Sequence, residues 1–227
     1  MNLREFAKAL NGDGVEGELI KTMLYSLITS FILLGAFYYL KLKKIDNFIP
    51  DYGFYLVFAA LSYALLVPTI RQVRAYKQFS CMSGMMIGMT AGMMAGFLAG
   101  FYAGATNGMF VGGIFGMGAG ILLGVWLGSC CGVMGFMEGM MAGFMGGLMG
   151  AMTSVMMLND NVKIATVIMF IVTSIILISL NYMIYLETRE NERQRKEEHL
   201  ITLIITFILT LATTWLMVFG PRSALFG

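Results

Sequence analysis

Residues 82–104 read MSGMMIGMTAGMMAGFLAGFYAG. Glycine returns at every fourth position from Gly84 to Gly104, and methionine fills many of the places between. In water such a segment makes a poor helix, because each glycine costs roughly 1 kcal/mol of helix propensity relative to alanine. In lipid an unsatisfied backbone group costs more than that, so the segment is helical regardless. The row continues through Gly108, Gly112, Gly116, Gly120, Gly124, Gly128 and Gly132, and resumes at Gly139, Gly143 and Gly147. Lipid tails are as apolar as leucine, so membrane helices associate by close packing, and small residues let their backbones approach. A helix repeats every 3.6 residues, so each step of four advances the row by about 40°, the sense that suits right-handed crossings. A row that sweeps around its helix in this way reaches more than one neighbour. The pattern predicts a glycine-zipper centre of three helices.

Composition agrees with a membrane setting. Of the 227 residues, 58% are hydrophobic and 12% charged, and the mean hydropathy is +0.78, whereas soluble domains carry roughly a quarter charged residues. A net charge of +2 points away from nucleic-acid binding. Residues 1–21 mix acids and bases and lack a basic start leading into an apolar run, so no cleavable leader is expected there. The three cysteines, Cys81, Cys130 and Cys131, form no even-numbered disulfide framework and are expected as free thiols.

A bilayer core about 30 Å thick needs about 20 mostly apolar helical residues. Seven stretches qualify, at about 22–40, 52–70, 81–104, 109–129, 133–157, 162–185 and 200–219. Asn107-Gly108 and the SCCG run ending at Gly132 supply the turns inside the glycine-rich region. Pro68 falls near the exit of the second span, where water can replace its lost bond. The last two spans, rich in Ile, Leu, Val and Thr, read as lipid-facing helices. The chain divides into residues 1–79 with two spans, 80–158 as the Gly/Met-rich core, and 159–227 with two more spans. In a seven-span arrangement the amino terminus, 71–79, the cysteine turn and 187–199 share a face that carries most of the Lys and Arg, which makes that face cytoplasmic. Lys41, Lys43 and Lys44 fall on the opposite face. Residues 187–199 pair opposite charges at helical spacing, Glu192 with Lys196 and Arg193 with Glu197, and extend the sixth span into water.

Most of the 22 methionines lie in the glycine-rich region. Met85, Met89 and Met93 form one ladder, and Met137, Met141 and Met145 another that continues to Met149. Two readings stand side by side. Methionine is flexible and fills irregular gaps beside glycine, and thioethers are soft ligands suited to Cu(I), so stacked sulfurs could pass an ion along. Cys81, Cys130 and Cys131 meet one membrane face in the seven-span arrangement, where thiolates could collect the same ion. Glu138 is the one Asp, Glu, Lys, Arg or His between Ser80 and Leu158. A carboxyl group at membrane depth costs about 3 kcal/mol on insertion scales, which marks it as a gate, proton acceptor or cation ligand unless it reaches water at the helix start. Its own row runs on through Ala142, Gly146 and Gly150 and is expected to face protein. No phosphate-binding loop, activated nucleophile or two-histidine metal motif is present, so an enzyme is not expected.

The run GVWLGSCCGVMGFMEGMMAGFMGGLMGAMTSVMM, residues 124–157, with ATNGMFVGG before it, resembles a group of prokaryotic Gly/Met-rich multispan membrane proteins to which no activity is assigned. Glycine and methionine spaced by four are also similar, more distantly, to features of the copper-transporter family, whose members have fewer spans. The first resemblance implies a membrane fold, and neither supplies a site residue. The sequence therefore predicts an all-α, multi-pass protein of the inner or plasma membrane with a cytoplasmic amino terminus. Its partners are the bilayer, a soft metal ion with Cu(I) foremost, and further copies or a larger membrane complex. Transport or handling of that ion leads; a structural or accessory subunit whose glycines and methionines only pack is the alternative.

Overall fold

The computed structural model describes residues 17–40, 52–76, 79–158, 160–188 and 199–221. Among these residues the chain forms seven α-helices: α1 Gly17–Leu40, α2 Phe54–Ala75, α3 Cys81–Asn107, α4 Met109–Gly128, α5 Gly132–Met156, α6 Val162–Thr188 and α7 His199–Phe219. Lys41, Lys43, Lys44 and the charge pairs of residues 190–198 lie outside the described residues. Among the described residues five segments are long and apolar enough to cross a membrane, and Ile204–Phe219 is a shorter apolar helix. The protein is an all-α, multi-span membrane protein.

One of those five segments is the 48-residue stretch Met109–Met156. It does not run straight. A short 3-10 turn, Ser129–Cys131, leads into Gly132 at φ 70°, a conformation that costs an L side chain energy and costs glycine none. Gly108, at φ 98°, plays the same part between α3 and α4. The stretch thus becomes two helices, α4 and α5, and these pack on each other and on α3, which Ser80 caps through its hydroxyl, accepting from the Ser83 N–H.

The packing explains the glycines. A Cβ built on Gly120 would lie 2.8 Å from both the Gly143 carbonyl oxygen of α5 and the Gly96 Cα of α3. On Gly92 it would meet Gly124 Cα at 2.8 Å, and on Gly116 it would meet Gly100 Cα at 2.6 Å. These spacings leave no room for a methyl group, because the neighbouring atoms are backbone. Gly96 faces Gly143 of α5 on one side and Gly116 of α4 on the other, so one row serves two neighbours, as the 40° drift requires. The second small row also faces protein: Gly146 and Gly150 lie against the backbone of Met93 and Phe97 in α3.

The other four helices do not surround this unit. They gather on one side of it, through α2 and α3. Leu66, Ile70 and Val73 of α2 pack with Ile87 and Ala91 of α3 and with Leu177, Leu180 and Ile184 of α6. Nearer the opposite end, Leu56 and Tyr63 of α2 pack with Leu98, Phe101 and Tyr102 of α3 and Met217 of α7. Among the described residues α5 packs chiefly on α3, α4 and the turn between α4 and itself.

Two sequence expectations change here. The second span runs past Ile70 to Ala75, so Pro68 lies two turns inside α2 and is buried rather than near water. The last two helices are not uniformly lipid-facing, since Thr206, Thr210, Thr213 and Thr214 of α7 are all buried.

Gly118 provides a control for the close-packing argument, because nothing lies within 4 Å of a Cβ built there. Gly120→Ala is expected to destabilise the protein by roughly 1–3 kcal/mol through overpacking, while Gly118→Ala should be neutral or slightly stabilising. Thermal unfolding of both variants in the same detergent measures the difference.

Candidate functional site

The helix ends near the 3-10 turn bring the predicted thiols to one end of the bundle. Cys81 opens α3, and Cys130 and Cys131 form the turn that joins α4 to α5. The Cys130 and Cys131 sulfurs lie 3.9 Å apart. Cys131 donates to the Ser80 carbonyl at 3.6 Å, beside Cys81 in sequence, and Cys130 donates to the Leu127 carbonyl at 3.3 Å. The start of α3 comes this close to the turn because Gly84 has no side chain: a Cβ there would sit 3.1 Å from the Cys130 sulfur and would overlap that of Cys131. All three thiols are free, with Cys81 and Cys130 exposed and Cys131 half-buried.

Other helices end here too. Glu187, near the end of α6, accepts from the Ser80 N–H at 2.9 Å. The Arg74 guanidinium, at the end of α2, stands 4.8 Å from the centre of the Trp126 ring, one turn before Cys130. Partial burial, followed by the neighbouring Cys131 thiol, pushes the Cys130 thiol up to about 11. Cys130 is therefore a thiol near neutral pH, and a soft cation would have to displace its proton to bind. Among the described residues no three His, Cys, Asp or Glu side chains are grouped to hold a metal ion.

Glu138 is half-buried in α5 and makes no hydrogen bond or ion pair with another described residue. It begins the row whose later members, Gly146 and Gly150, face α3. The methionine ladders are not brought together. Met137, Met141, Met145 and Met149 are about half exposed on the side of α5 away from its glycine contacts, so they line the outer surface of this chain rather than an interior path. In α3, Met89 is exposed, and Met85 and Met93 are half-buried.

A second polar region lies away from the glycine unit, between α1, α2, α6 and α7. Arg71 is buried in α2 and donates from Nη1 to the Thr22 hydroxyl of α1 at 2.9 Å. Its neighbour Gln72, fully buried, donates from Nε2 to the backbone carbonyl of Asn181 in α6 at 3.2 Å. The Ser26 hydroxyl of α1 meets that of Thr206 in α7 at 3.1 Å, and the Ser62 hydroxyl of α2 meets that of Tyr102 in α3 at 2.7 Å. The first three contacts tie the peripheral helices together and the fourth ties α2 to α3 of the glycine unit, as hydroxyls and amides do within lipid. The sequence reading passed over Arg71 and Gln72 because they stood in a basic flank. The signal that could have found the hydroxyls is the spacing of Thr22, Ser26 and Ser30, which repeats every four residues along α1.

No family model, curated protein or solved structure matches this chain. The residues themselves must carry the functional argument.

Reaction of Cys130 with a maleimide reports the raised thiol. The rate is expected to climb about tenfold per pH unit from pH 7 to near pH 10, since the thiolate is the nucleophile. In the unfolded chain, where a thiol ionises near ~8.5, it should level off about two units earlier. Peptide mass spectrometry of Cys130 adducts after timed labelling measures both curves.

Proposed function

We propose that this chain is a seven-span membrane scaffold or accessory subunit built on a glycine zipper. One observation carries this reading. The glycine rows of α3, α4 and α5 meet backbone to backbone, while the methionines of α5 turn outward. A unit packed this closely leaves no lane between its helices for an ion, and the sulfurs of Met137, Met141, Met145 and Met149 face lipid or whatever covers α5. In this reading α4 and α5 each cross the bilayer, and the uncovered side of α5 meets another copy or a larger membrane complex. The thiol end, with Arg74 beside it, faces the cytoplasm of the inner or plasma membrane.

The approach of Cys130 and Cys131, with Cys81 at the same end, favours a second reading. Here the thiols collect a soft ion, Cu(I) foremost, with Glu138 one to two turns further along α5 as an acidic group near its path. Two or three sulfurs suit the low coordination numbers of that ion, and the raised Cys130 thiol makes binding strongly pH-dependent.

Anaerobic Cu(I) titration of purified protein, joined to Cu(I) uptake by proteoliposomes, separates the two readings. The scaffold predicts uptake equal to that of protein-free vesicles and unchanged by Cys130→Ser/Cys131→Ser or Glu138→Gln. Stoichiometric binding, with uptake lost in both variants, would move the assignment to metal transport.

A further inference from the structure

A cleft between α1, α2 and α6 opens on the side of the molecule away from the glycine unit. α1 contributes Ile20 and Met23 to its wall, α2 contributes Leu65 and Pro68, and α6 contributes Ile178 and Asn181. The space amounts to about 240 Å³, more than the ~150 Å³ within which an apolar protein cavity takes up benzene. At its rim Ile20 is 45% and Ile178 55% exposed, on the surface that faces hydrocarbon in a membrane-spanning chain. Its occupant therefore comes from the bilayer.

Asn181 is the polar residue of this wall. Its backbone carbonyl accepts from Gln72 Nε2 at 3.2 Å, and its side-chain Oδ1 is turned inward and buried. Nδ2 is the part of the amide left at the surface, and no described residue accepts from it. A donor facing hydrocarbon is costly until an acceptor reaches it. Water does not serve, because an ordered water needs about two to four polar partners and this wall supplies one.

Depth narrows the choice of acceptor. α6 has 27 residues and so is about 40 Å long, against a hydrocarbon core of about 30 Å. Asn181 lies about 10 Å from the end of α6 at Thr188. With the overhang shared between the two ends of α6, the amide sits about 5 Å inside the hydrocarbon edge. The ester carbonyls of glycerolipids lie at that edge, and they accept without donating. Leu65 and Ile178 stand about one turn deeper than Pro68 and Asn181, so the apolar part of the cleft leads from the amide toward the middle of the membrane.

We propose that this cleft seats one acyl chain of an ester-linked glycerolipid, whose carbonyl accepts from Asn181 Nδ2 while the chain lies past Pro68 against Met23, Leu65 and Ile178. An ether-linked lipid with the same headgroup and chain length fills the same space but brings the amide no carbonyl. The site reads the linkage of the chain and is indifferent to the headgroup.

Photolabelling of the full chain tests this in nanodiscs of ether-linked phosphatidylcholine, which offer no carbonyl of their own. Two trace probes are compared, both phosphatidylcholines with a diazirine at the same chain position, one ester-linked and one ether-linked. Adducts are located by peptide mass spectrometry. The ester probe is expected to label residues 20–23, 65–68 and 178–181 about fivefold more than the ether probe, the worth of one net hydrogen bond. Both probes should label the exposed α6 surface around Ile168 and Ile171 equally. Excess ester-linked lipid without a diazirine should displace the ester probe from the cleft. Asn181→Leu keeps a side chain of similar size in a membrane helix and should lower the ester signal in the cleft to that of the ether probe. Met23→Trp fills the space, leaves the amide in place and should abolish cleft labelling by both. Equal labelling of the wild-type cleft by the two probes, or an ester excess that survives in Asn181→Leu, would overturn the proposal. The wild-type ratio decides the matter even if a variant fails to assemble.

Discussion

The constraint on which the structure rests is the distance between helix backbones in α3, α4 and α5. Where a Cβ on Gly92, Gly116 or Gly120 would stand under 3 Å from a neighbouring backbone atom, the helices touch through their main chains. Dispersion falls steeply with separation, and hydrocarbon outside the protein offers no hydrophobic drive for helices to associate. Close contact is thus the principal source of cohesion available to this unit. The turns at Gly108 and Gly132 follow from it, since helices this close need short connections.

A second kind of cohesion holds the remaining helices. α2 mixes apolar packing with Arg71, Gln72 and Ser62, each bonded to a different helix. Such polar contacts contribute modestly one by one within a membrane, but their geometry fixes which face of α1 or α6 meets α2. Glycine sets proximity in one half of the molecule; hydroxyl and amide groups set orientation in the other.

The glycine unit was legible in the sequence because a four-residue repeat over many turns has few physical meanings in an apolar chain. Its helix limits and both turns were readable from Asn107-Gly108 and Gly132. The sides on which the other helices lie were not readable. Leu, Ile and Val look alike whether they face lipid or protein, so the periodicity that exposes a soluble helix's buried face is muted here. Pro68 and Arg71 were misplaced for a related reason: hydropathy ended the second span at the first charge, whereas α2 continues and buries Arg71 against Thr22. Of the thiol end, the meeting of Cys130 and Cys131 with the start of α3 was readable from topology. The outward turn of Met137, Met141 and Met145 was not, because a ladder beside a glycine row can face either way.

The bond between Ser26 and Thr206 joins residues 180 positions apart. The glycine unit, by contrast, is contiguous from α3 to α5. Contacts near in sequence form sooner than distant ones, and a chain emerging from the ribosome offers its early segments first. The three-helix unit can consolidate while α7 is still being synthesised. The seam between α1 and α7 closes last, and until then the Ser26 hydroxyl of α1 must wait for the partner that the final helix brings.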